Sequence, residues 1–305
     1  MKRSQQKAKK KKWPWIVGIL ALIVIGIGVY LFTIYNSFTN TLDEMHDPID
    51  RPVSDKRVEE VTLTEKDPFS VLLLGVDERA GDRGRSDTMV VMSVNPEEKS
   101  TKMVSIPRDT YTEIIGRGTM DKINHAYAFG GIEMSMASVE NLLDIPIDYV
   151  MQVNMEGFKD IVDAVGGVEV NNPMAFDGFA EGNVHLDGDD ALSYVRMRKQ
   201  DPRGDFGRQD RQKQVIQGIM RGGASVNSLF NYKDIFNALG NNIRTNMTFD
   251  EMKDVQANYR DAIGTVDQMI IDDGTGETIN GVWYYRMNDA ELSEIQGAFK
   301  EHLNM

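Results

Sequence analysis

Five arginines lie close together in residues 196–211 of a 305-residue chain whose formal net charge is −13. Arg208, Arg211 and Gln212 are spaced i, i+3 and i+4, so on a helix they would share one face. The segment GDFG at 204–207 indicates where that helix begins. A helix N-terminus attracts phosphate, and guanidinium groups bind phosphate oxygens in pairs. The cluster therefore predicts a phosphate site, although a solvated basic face or ion pairs with neighbouring aspartates would also explain it. Its members are Arg196, Arg198, Arg203, Arg208 and Arg211.

The spacing of Arg196 and Arg198 bears on where the preceding helix ends. Residues two positions apart lie on nearly opposite sides of a helix but on the same side of an extended segment. We therefore expect the helix that begins near Asp189 to end by about Tyr194, so that both arginines point the same way.

Carboxylates stand next to arginines at the ends of two predicted strands. Ligands of open α/β sheets bind just past the strand ends, so these residues are candidates for a site. Carboxylate oxygens suit Mg²⁺, and guanidinium groups neutralise the remaining phosphate oxygens, which together predict a metal ion bridging a diphosphate. Structural ion pairs are the alternative interpretation. The residues are Asp77 and Arg79 after the first strand, Arg85 and Asp87 at the end of the next loop, and Arg108 and Asp109 after the third strand.

The composition excludes several kinds of chemistry. The chain has no cysteine, which removes disulfides, thiolate nucleophiles and thiolate metal sites. Its four histidines are scattered without metal-binding spacing, which argues against zinc. There is no GxSxG elbow and no GxxxxGK[ST] loop. Any enzyme chemistry would therefore come from carboxylates, arginines and a hard metal ion.

The distribution of charge argues against nucleic acid as a partner. Residues 1–12 carry seven basic side chains and no acidic one, so the rest of the chain has 27 basic against 47 acidic residues. Binding to a duplex requires a broad basic surface that releases counterions. The basic side chains of this acidic region could therefore form a local anion site but not a broad basic surface.

Residues 13–35 form a run of 23 uncharged positions, long enough to cross a bilayer as one helix. Trp13 and Trp15 at one end and Tyr30 and Tyr35 at the other fit the aromatic belts of a membrane span. A cleaved signal peptide is the alternative, but the run is long for one and no clear A-x-A site follows.

This span divides the chain into four predicted parts. The lysine-rich tail, residues 1–12, would stay in the cytoplasm, which puts the remainder outside a cell membrane crossed once. Residues 36–67 are polar and contain Pro48 and Pro52, so we interpret them as a stalk that lifts the domain off the membrane. The alternative is that residues 58–63 join the domain as an edge strand. Residues 68–305 would form the extracellular catalytic domain.

The globular region mixes strands with helices, which predicts a three-layer α/β/α domain with a central mixed sheet. Strands are predicted at 69–76, 88–94, 102–106, 147–153, 168–170, 268–272 and 278–286. Helices are predicted at 132–143, 155–165, 208–221, 228–239 and 249–261, with a last one from about residue 289.

Seven segments in this region resemble the LytR-CpsA-Psr family, and they occur in the family's order between Phe69 and Gln214. The short basic tail, the single span and the external domain also resemble that family. The segments are LLLGVDER, RSDTMVVMSVNP, SIPRDTY, DKINHAYAFGG, VNMEGF, VDAVGGVEVN and LDGDDALSYVRMRKQDPRGDFGRQDRQ.

The resemblance implies roles for individual residues. Asp77 and Asp87 would hold magnesium, with manganese as the alternative metal. Asp109 would support Arg108 or take part in proton handling. The family also holds its lipid in an apolar tunnel, for which the apolar faces of 132–143, 155–165 and 208–221 are candidate walls. The implied catalytic residues are Asp77, Asp87, Arg108 and Asp109, and the implied pyrophosphate ligands are Arg79, Arg85, Arg108, Arg196, Arg198, Arg208 and Gln212.

The implied activity is a phosphotransferase of Gram-positive cell-wall assembly. It would move an anionic glycopolymer, typically wall teichoic acid, from a polyprenyl pyrophosphate carrier in the membrane to N-acetylmuramic acid of peptidoglycan, releasing polyprenyl phosphate. The alternatives are a transcriptional attenuator of the cell envelope, a hydrolase of polyprenyl pyrophosphate, and a module that only presents the lipid-linked polymer. The expected partners are that lipid-linked polymer, peptidoglycan and the membrane, with no nucleic acid.

Overall fold

The computed structural model describes residues 46–49, 53–77, 84–222, 242–263 and 265–305, together with Phe32 and Gly240. The predicted basic tail and almost all of the predicted span at 13–35 lie outside the described residues, as does the whole of the helix predicted at 228–239. Within the described ranges, no helix is long and apolar enough to cross a membrane.

A six-stranded mixed sheet forms the centre of the fold, in the order β10, β3, β2, β1, β6, β9. Strand β1 pairs antiparallel with β2 on one side and parallel with β6 on the other. Three two-stranded sheets, β4–β5, β7–β8 and β11–β12, lie outside it. The described strands are β1 (Phe69–Val76), β2 (Ser86–Asn95), β3 (Ser100–Ser105), β4 (Tyr111–Ile114), β5 (Thr119–Lys122), β6 (Tyr149–Asn154), β7 (Val168–Asn172), β8 (Gly182–Leu186), β9 (Ile243–Thr245), β10 (Val266–Met269), β11 (Thr275–Ile279) and β12 (Val282–Arg286).

The described helices cover both faces of this sheet. They are α1 (His125–Leu143), α2 (Met155–Ala164), α3 (Gly188–Arg196), α4 (Asp205–Gly222), α5 (Phe249–Asn258), α6 (Arg260–Ile263) and α7 (Asp289–His302). Leu72 and Leu74 of β1 face α1 and α7 in the main core. Phe69 and Val71 face the opposite way, against Tyr259 between α5 and α6. This double coverage explains why β1 is apolar at every position except Ser70, and it confirms the predicted three-layer arrangement with a mixed central sheet.

A second, smaller core lies under the arginine-rich segment. Val162 of α2, Tyr194 of α3 and Val215 of α4 pack together with the β7–β8 hairpin. The N-terminus of α3 is capped by the side chain of Asp187, which accepts a hydrogen bond from the backbone of Asp190 at 2.9 Å. This cluster fixes α3 against α4, and with them the loop that carries Arg198.

The described part of the segment before β1, residues 46–49 and 53–67, is packed on the domain, whereas residues 36–67 were predicted to be a stalk that lifts the domain off the membrane. Arg57 forms two bonds with Asp148, at 2.6 and 2.7 Å. Ser54 donates to Glu140 at 2.6 Å, and both side chains are buried. Leu63 is only 4% exposed. The described part of this segment is therefore a docked piece of the domain, although residues 58–63 do not form the alternative edge strand.

Several predicted boundaries are wrong, by two to seven residues. The strand predicted at 278–286 is a hairpin, because Asn280 and Gly281 adopt positive φ and reverse the chain. Helix α1 begins at His125, seven residues earlier than predicted, and is kinked at Gly130 and Gly131. The final strand of the central sheet is 266–269 rather than 268–272.

Candidate active site

Three chain segments meet at one edge of the central sheet. Strands β1 and β3 run in the same direction, with β2 antiparallel between them. The residues after β1, at the start of β2 and after β3 are therefore neighbours. The backbone N–H of Asp77 faces the carbonyl of Arg85 at 3.5 Å, which closes the base of the loop joining β1 to β2. Asp77 and Asp87 thus lie at the same edge, as predicted from the position of Asp77 after the first buried strand and of Asp87 at the end of the loop that follows it.

Arg108 links this edge to the segment after β3. Its Nη1 atom lies 3.0 Å from Oδ1 of Asp87, and its Nε atom lies 3.6 Å from Oδ2 of Asp109. The Arg108 side chain is 20% exposed and the Asp87 side chain is 36% exposed, so solvent reaches both members of the pair. Nη2 of Arg208, on the first turns of α4, lies 3.5 Å from the backbone carbonyl of Asp87. Two arginines from distant parts of the chain therefore converge on one aspartate.

The turn that carries Arg108 is held rigidly by its neighbours. The backbone N–H of Thr110 donates to the Pro107 carbonyl at 3.0 Å, and that of Asn124 donates to the Arg108 carbonyl at 3.2 Å. The backbone N–H of Tyr285 donates to the Asp109 carbonyl at 2.9 Å. Bonds from three segments fix the backbone, so the guanidinium is pre-positioned at the sheet edge.

Lys122 is a basic residue of this site that the sequence analysis did not single out. Its Nζ atom lies 2.7 Å from Oδ1 of Asp109, whose other oxygen faces Arg108. Asp109 therefore bridges two cations and holds them apart at a fixed separation. The available signal was the segment DKINHAYAFGG, which contains Lys122 and contributed to the family resemblance without a role for this lysine.

Arg211 has a structural role rather than one in binding phosphate. Its side chain is 1% exposed and pairs at 2.6 Å with Asp201, which is 2% exposed. It also donates to the backbone carbonyls of Tyr194 and Met197. Burial alone would raise the pKa of Asp201, but the hydrogen bond and charge of Arg211 outweigh it and hold that pKa below the usual range. Arg211 therefore anchors the loop after α3 to α4, one helical turn beyond Arg208.

Arg196 and Arg198 flank the anchored residue Met197. Helix α3 extends to Arg196, two residues further than predicted, because Tyr194 and Val195 are both buried in the second core. Met197 is extended and buried, and the arginines on either side are exposed. Both arginines are therefore at the protein surface, at the end of α3.

The remaining predicted site residues differ in how far the structure describes them. Gln212 is half-buried on α4, one turn after Arg208, and Arg85 is exposed at the start of β2. Arg79 lies outside the described residues. Helix α4 begins at Asp205, three residues earlier than predicted, which puts Arg208 in its first turns.

The proposed metal ligands fit a hard cation that keeps most of its coordination for water and substrate. The described residues contain no group of three or more carboxylates and histidines arranged as a complete metal cage. Mg²⁺ is commonly bound through one or two carboxylates plus phosphate oxygens, and the carboxylates of Asp77 and Asp87 are of this chemical type. Ser86, between Arg85 and Asp87, has a buried hydroxyl with no hydrogen-bond partner among the described residues, which leaves one more oxygen at this edge. Both metal ligands remain predictions.

The apolar faces predicted as tunnel walls belong to two different clusters. Met136 and Val139 of α1 pack in the main core. Val162 of α2 and Val215 of α4 pack in the second core. Ordinary core packing accounts for these side chains, and a lipid tunnel stays a prediction.

Comparison with known proteins identifies the family of this chain. The model of the LytR_cpsA_psr family matches residues 32–301. The chain belongs to the LytR-CpsA-Psr family. Among LytR-CpsA-Psr proteins, one from Bacillus subtilis (strain 168) is named polyisoprenyl-teichoic acid–peptidoglycan teichoic acid transferase TagU. It is 50% identical over 307 residues, covering 99% of each chain. A protein of the same name from Bacillus anthracis is 51% identical over 301 residues, covering 97% of this chain and 99% of that one.

Solved structures of the LytR-CpsA-Psr family share this fold. The crystal structure of Bacillus subtilis TagU matches with 51% identity and a TM-score of 0.63, covering 78% of this chain and 97% of that one. A structure described as TagT bound to LIIa-WTA matches with 33% identity and a TM-score of 0.74, covering 85% of this chain and all of that one. A protein from Enterococcus faecalis described as a transcriptional regulator matches with 40% identity and a TM-score of 0.73, covering 80% of this chain and 91% of that one.

Proposed function

We propose that this protein transfers an anionic glycopolymer, wall teichoic acid, from a polyprenyl pyrophosphate carrier to N-acetylmuramic acid of peptidoglycan. The observation that carries the proposal is the convergence of Arg108 and Arg208 on Asp87 at one sheet edge. Relatives about 50% identical over nearly the whole chain are named teichoic acid transferases, which supports the same activity here.

The reaction needs little covalent chemistry from the protein. A sugar hydroxyl of the acceptor attacks the phosphorus on the polymer side, and the bond from that phosphorus to the bridging oxygen breaks. Polyprenyl phosphate leaves with the bond's electrons, and the hydroxyl proton passes to a carboxylate, for which Asp109 and Asp87 are the candidates. Arg108 and Arg208 would neutralise the charge that develops on the two phosphates. Arg196, Arg198 and Gln212 would extend this binding surface along α3 and α4.

Asp77 and Asp87 would hold Mg²⁺, or Mn²⁺, which when bound supplies a positive charge shared between the two phosphates. Asp109 would help to orient the basic side chains of the site, because it lies between two of them. By pairing with both Arg108 and Lys122, it keeps two cations from turning toward bulk solvent. Their orientation is then set before the substrate binds, which reduces the cost of reorganisation in the transition state.

We further propose that residues 13–35 anchor the protein in the cell membrane, with the tail in the cytoplasm and the domain outside. A donor confined to the same bilayer would meet the enzyme at high effective concentration. The acidic body and external position argue against direct DNA contact. A mobility shift with duplex DNA at physiological salt would favour the attenuator alternative instead.

The experiment that tests the proposed function replaces Arg108 with alanine. Purified full-length protein in detergent is incubated with Mg²⁺, a synthetic lipid-linked teichoic acid precursor and a peptidoglycan oligomer, and the covalent product is measured. Removal of one pre-positioned charge contact to the phosphates costs about 3–4 kcal/mol in comparable sites, so we expect transfer to fall by two to three orders of magnitude.

Arg221→Ala is the matched control. Arg221 is an exposed arginine on α4, thirteen residues beyond Arg208 and roughly 20 Å further along the helix. Its variant should transfer polymer at the wild-type rate, and both variants should keep the wild-type circular dichroism spectrum. Wild-type transfer by Arg108→Ala would refute the assignment. Release of free polymer phosphate by the wild-type protein, with none joined to the glycan, would make the protein a hydrolase.

A further inference from the structure

The β11–β12 hairpin presents a large apolar surface at its tip. Trp283 is 49% exposed and Val282 is 42% exposed, next to the turn at Asn280 and Gly281. Gly276 on the paired strand lies directly beneath the indole, since a Cβ placed there would be 2.7 Å from Nε1 of Trp283. The absence of a side chain at Gly276 therefore lets the indole lie close to the backbone of β11, with much of its surface open to solvent.

The base of this hairpin is bonded to the candidate active site. The backbone N–H of Tyr285 donates to the Asp109 carbonyl at 2.9 Å, within a parallel bridge between Thr110 and Tyr285. Trp283 stands two residues before Tyr285 on β12, so it lies about 7 Å along the strand from the residue that is bonded to Asp109. Asp109 is the chain neighbour of Arg108, so the indole and the candidate active site are close together.

A second contact joins the other face of β12 to the site. Nζ of Lys122, which is bonded to Asp109, lies 5.7 Å from the centroid of the Tyr284 ring. The Tyr284 ring packs edge-on against Tyr111 at 4.9 Å. The hairpin is thus fixed to the residues that position Arg108 through both its backbone and its side chains.

The charges around the hairpin indicate which substrate it suits. Arg286, the basic residue of the hairpin, pairs with Glu277 and is neutralised by it. Asp272, Asp273 and Glu291 surround the start of the hairpin, where Glu291 accepts from the backbone of both aspartates at 2.9 and 3.0 Å. These carboxylates lie at the base of the hairpin, where they repel an anionic polymer or an anionic bilayer. Uncharged sugar rings meet no such repulsion, and their C–H groups stack favourably on the electron-rich face of an indole.

We propose that Trp283, supported by Gly276, is the platform on which the glycan strand of the peptidoglycan acceptor stacks. The arginines on α3 and α4 would then take the anionic donor, and the hairpin would take the neutral sugar backbone, so that an acceptor hydroxyl reaches the phosphorus near Arg108. This assignment rests on the proposed function for its reaction, but glycan binding to Trp283 can be measured without transfer.

The first test measures steady-state transfer by the full-length protein while the peptidoglycan oligomer is varied at saturating donor. We expect Trp283→Ala to raise KM for the acceptor about tenfold, consistent with the loss of one stacking contact. KM for the donor should be unchanged, and Trp283→Phe should recover much of the loss. Gly276→Ala should imitate Trp283→Ala, because its methyl group would push the indole off the strand. Val58→Ala, an exposed apolar residue on the segment before β1, is the control and should change neither constant.

The second test measures binding of a neutral glycan oligomer by calorimetry, using the Arg108→Ala background. Binding that is present with Trp283 and lost in Trp283→Ala supports the platform even if no transfer is detected, which separates this inference from the proposed function. An unchanged acceptor KM in Trp283→Ala would overturn the inference. Two other results would also overturn it, if Trp283→Ala still binds the glycan. One is that the variant no longer sediments with anionic vesicles as the wild type does, and the other is that it no longer self-associates. Either result would assign the surface to a different partner.

Discussion

The buried pair of Arg211 and Asp201 offers the sharpest test of how the site is built. Replacing Arg211 with leucine leaves the Asp201 carboxylate and the carbonyls of Tyr194 and Met197 without the guanidinium. Breaking a buried ion pair by removing one partner costs about 3–5 kcal/mol. For a domain of this size, that loss corresponds to a fall in melting temperature of about 6–20 °C.

The companion variant separates the ion pair from the packing. Adding Asp201→Asn removes the stranded charge but keeps an oxygen for the backbone N–H of Arg203, which donates to Asp201 at 2.8 Å. We expect the double variant to regain about 1–2 kcal/mol relative to Arg211→Leu alone. Arg221→Leu, at an exposed position of the same helix, should stay within about 0.5 kcal/mol of wild type. The free energy of unfolding is measured by urea titration of the full-length protein, followed by circular dichroism. A loss under 1 kcal/mol in Arg211→Leu, or no recovery in the double variant, would refute the anchoring role.

Two further predictions concern packing and pH. Gly188→Ala should destabilise the protein by about 1–3 kcal/mol, because the new methyl group would lie 2.5 Å from the Lys159 carbonyl oxygen. Gly297→Ala is the matched control: its methyl group would meet no atom within 4 Å, and it should stabilise the protein by about 0.5–1 kcal/mol. Equal shifts in melting temperature for the two variants would contradict this packing. His302 is fully buried between Ser93 and Ser100, and burial lowers its pKa below the usual range. Below about pH 6.5 the unfolded chain therefore binds a proton at His302 that the folded protein does not bind, so the free energy of unfolding should fall as the pH drops. The His302→Gln variant should lack this part of the pH dependence, which is measured by unfolding titrations at several pH values.

Local patterns were enough to predict much of the fold. The run FSVLLLGV predicted β1 at its observed bounds, because a strand buried on both faces is almost continuously apolar. The positions of Asp77, Asp87 and Arg108 after or before buried strands predicted a shared sheet edge, and the structure brings them there.

Contacts between distant segments could not be read from the sequence. Arg211 looked like a phosphate ligand because its spacing from Arg208 is helical, but its direction depends on Asp201 and on the end of α3. Lys122 joins the site only because β5 pairs with β4 and brings it beside Asp109. The hairpin tip was hidden inside one long strand-like run, since Asn280 and Gly281 reverse the chain there.

The docking of residues 46–49 and 53–67 bears on how far the domain could move from the membrane under the proposed anchoring. Asp47 donates its backbone N–H to the Thr245 carbonyl at 2.8 Å, so the chain is already attached to the domain at this point. With residues 13–35 in the bilayer, as we propose, only ten positions separate the membrane from His46. A segment of ten residues spans about 35 Å when it is fully extended. The catalytic edge would therefore work within a thin shell above the lipid surface, and the glycan must approach that shell from the wall side.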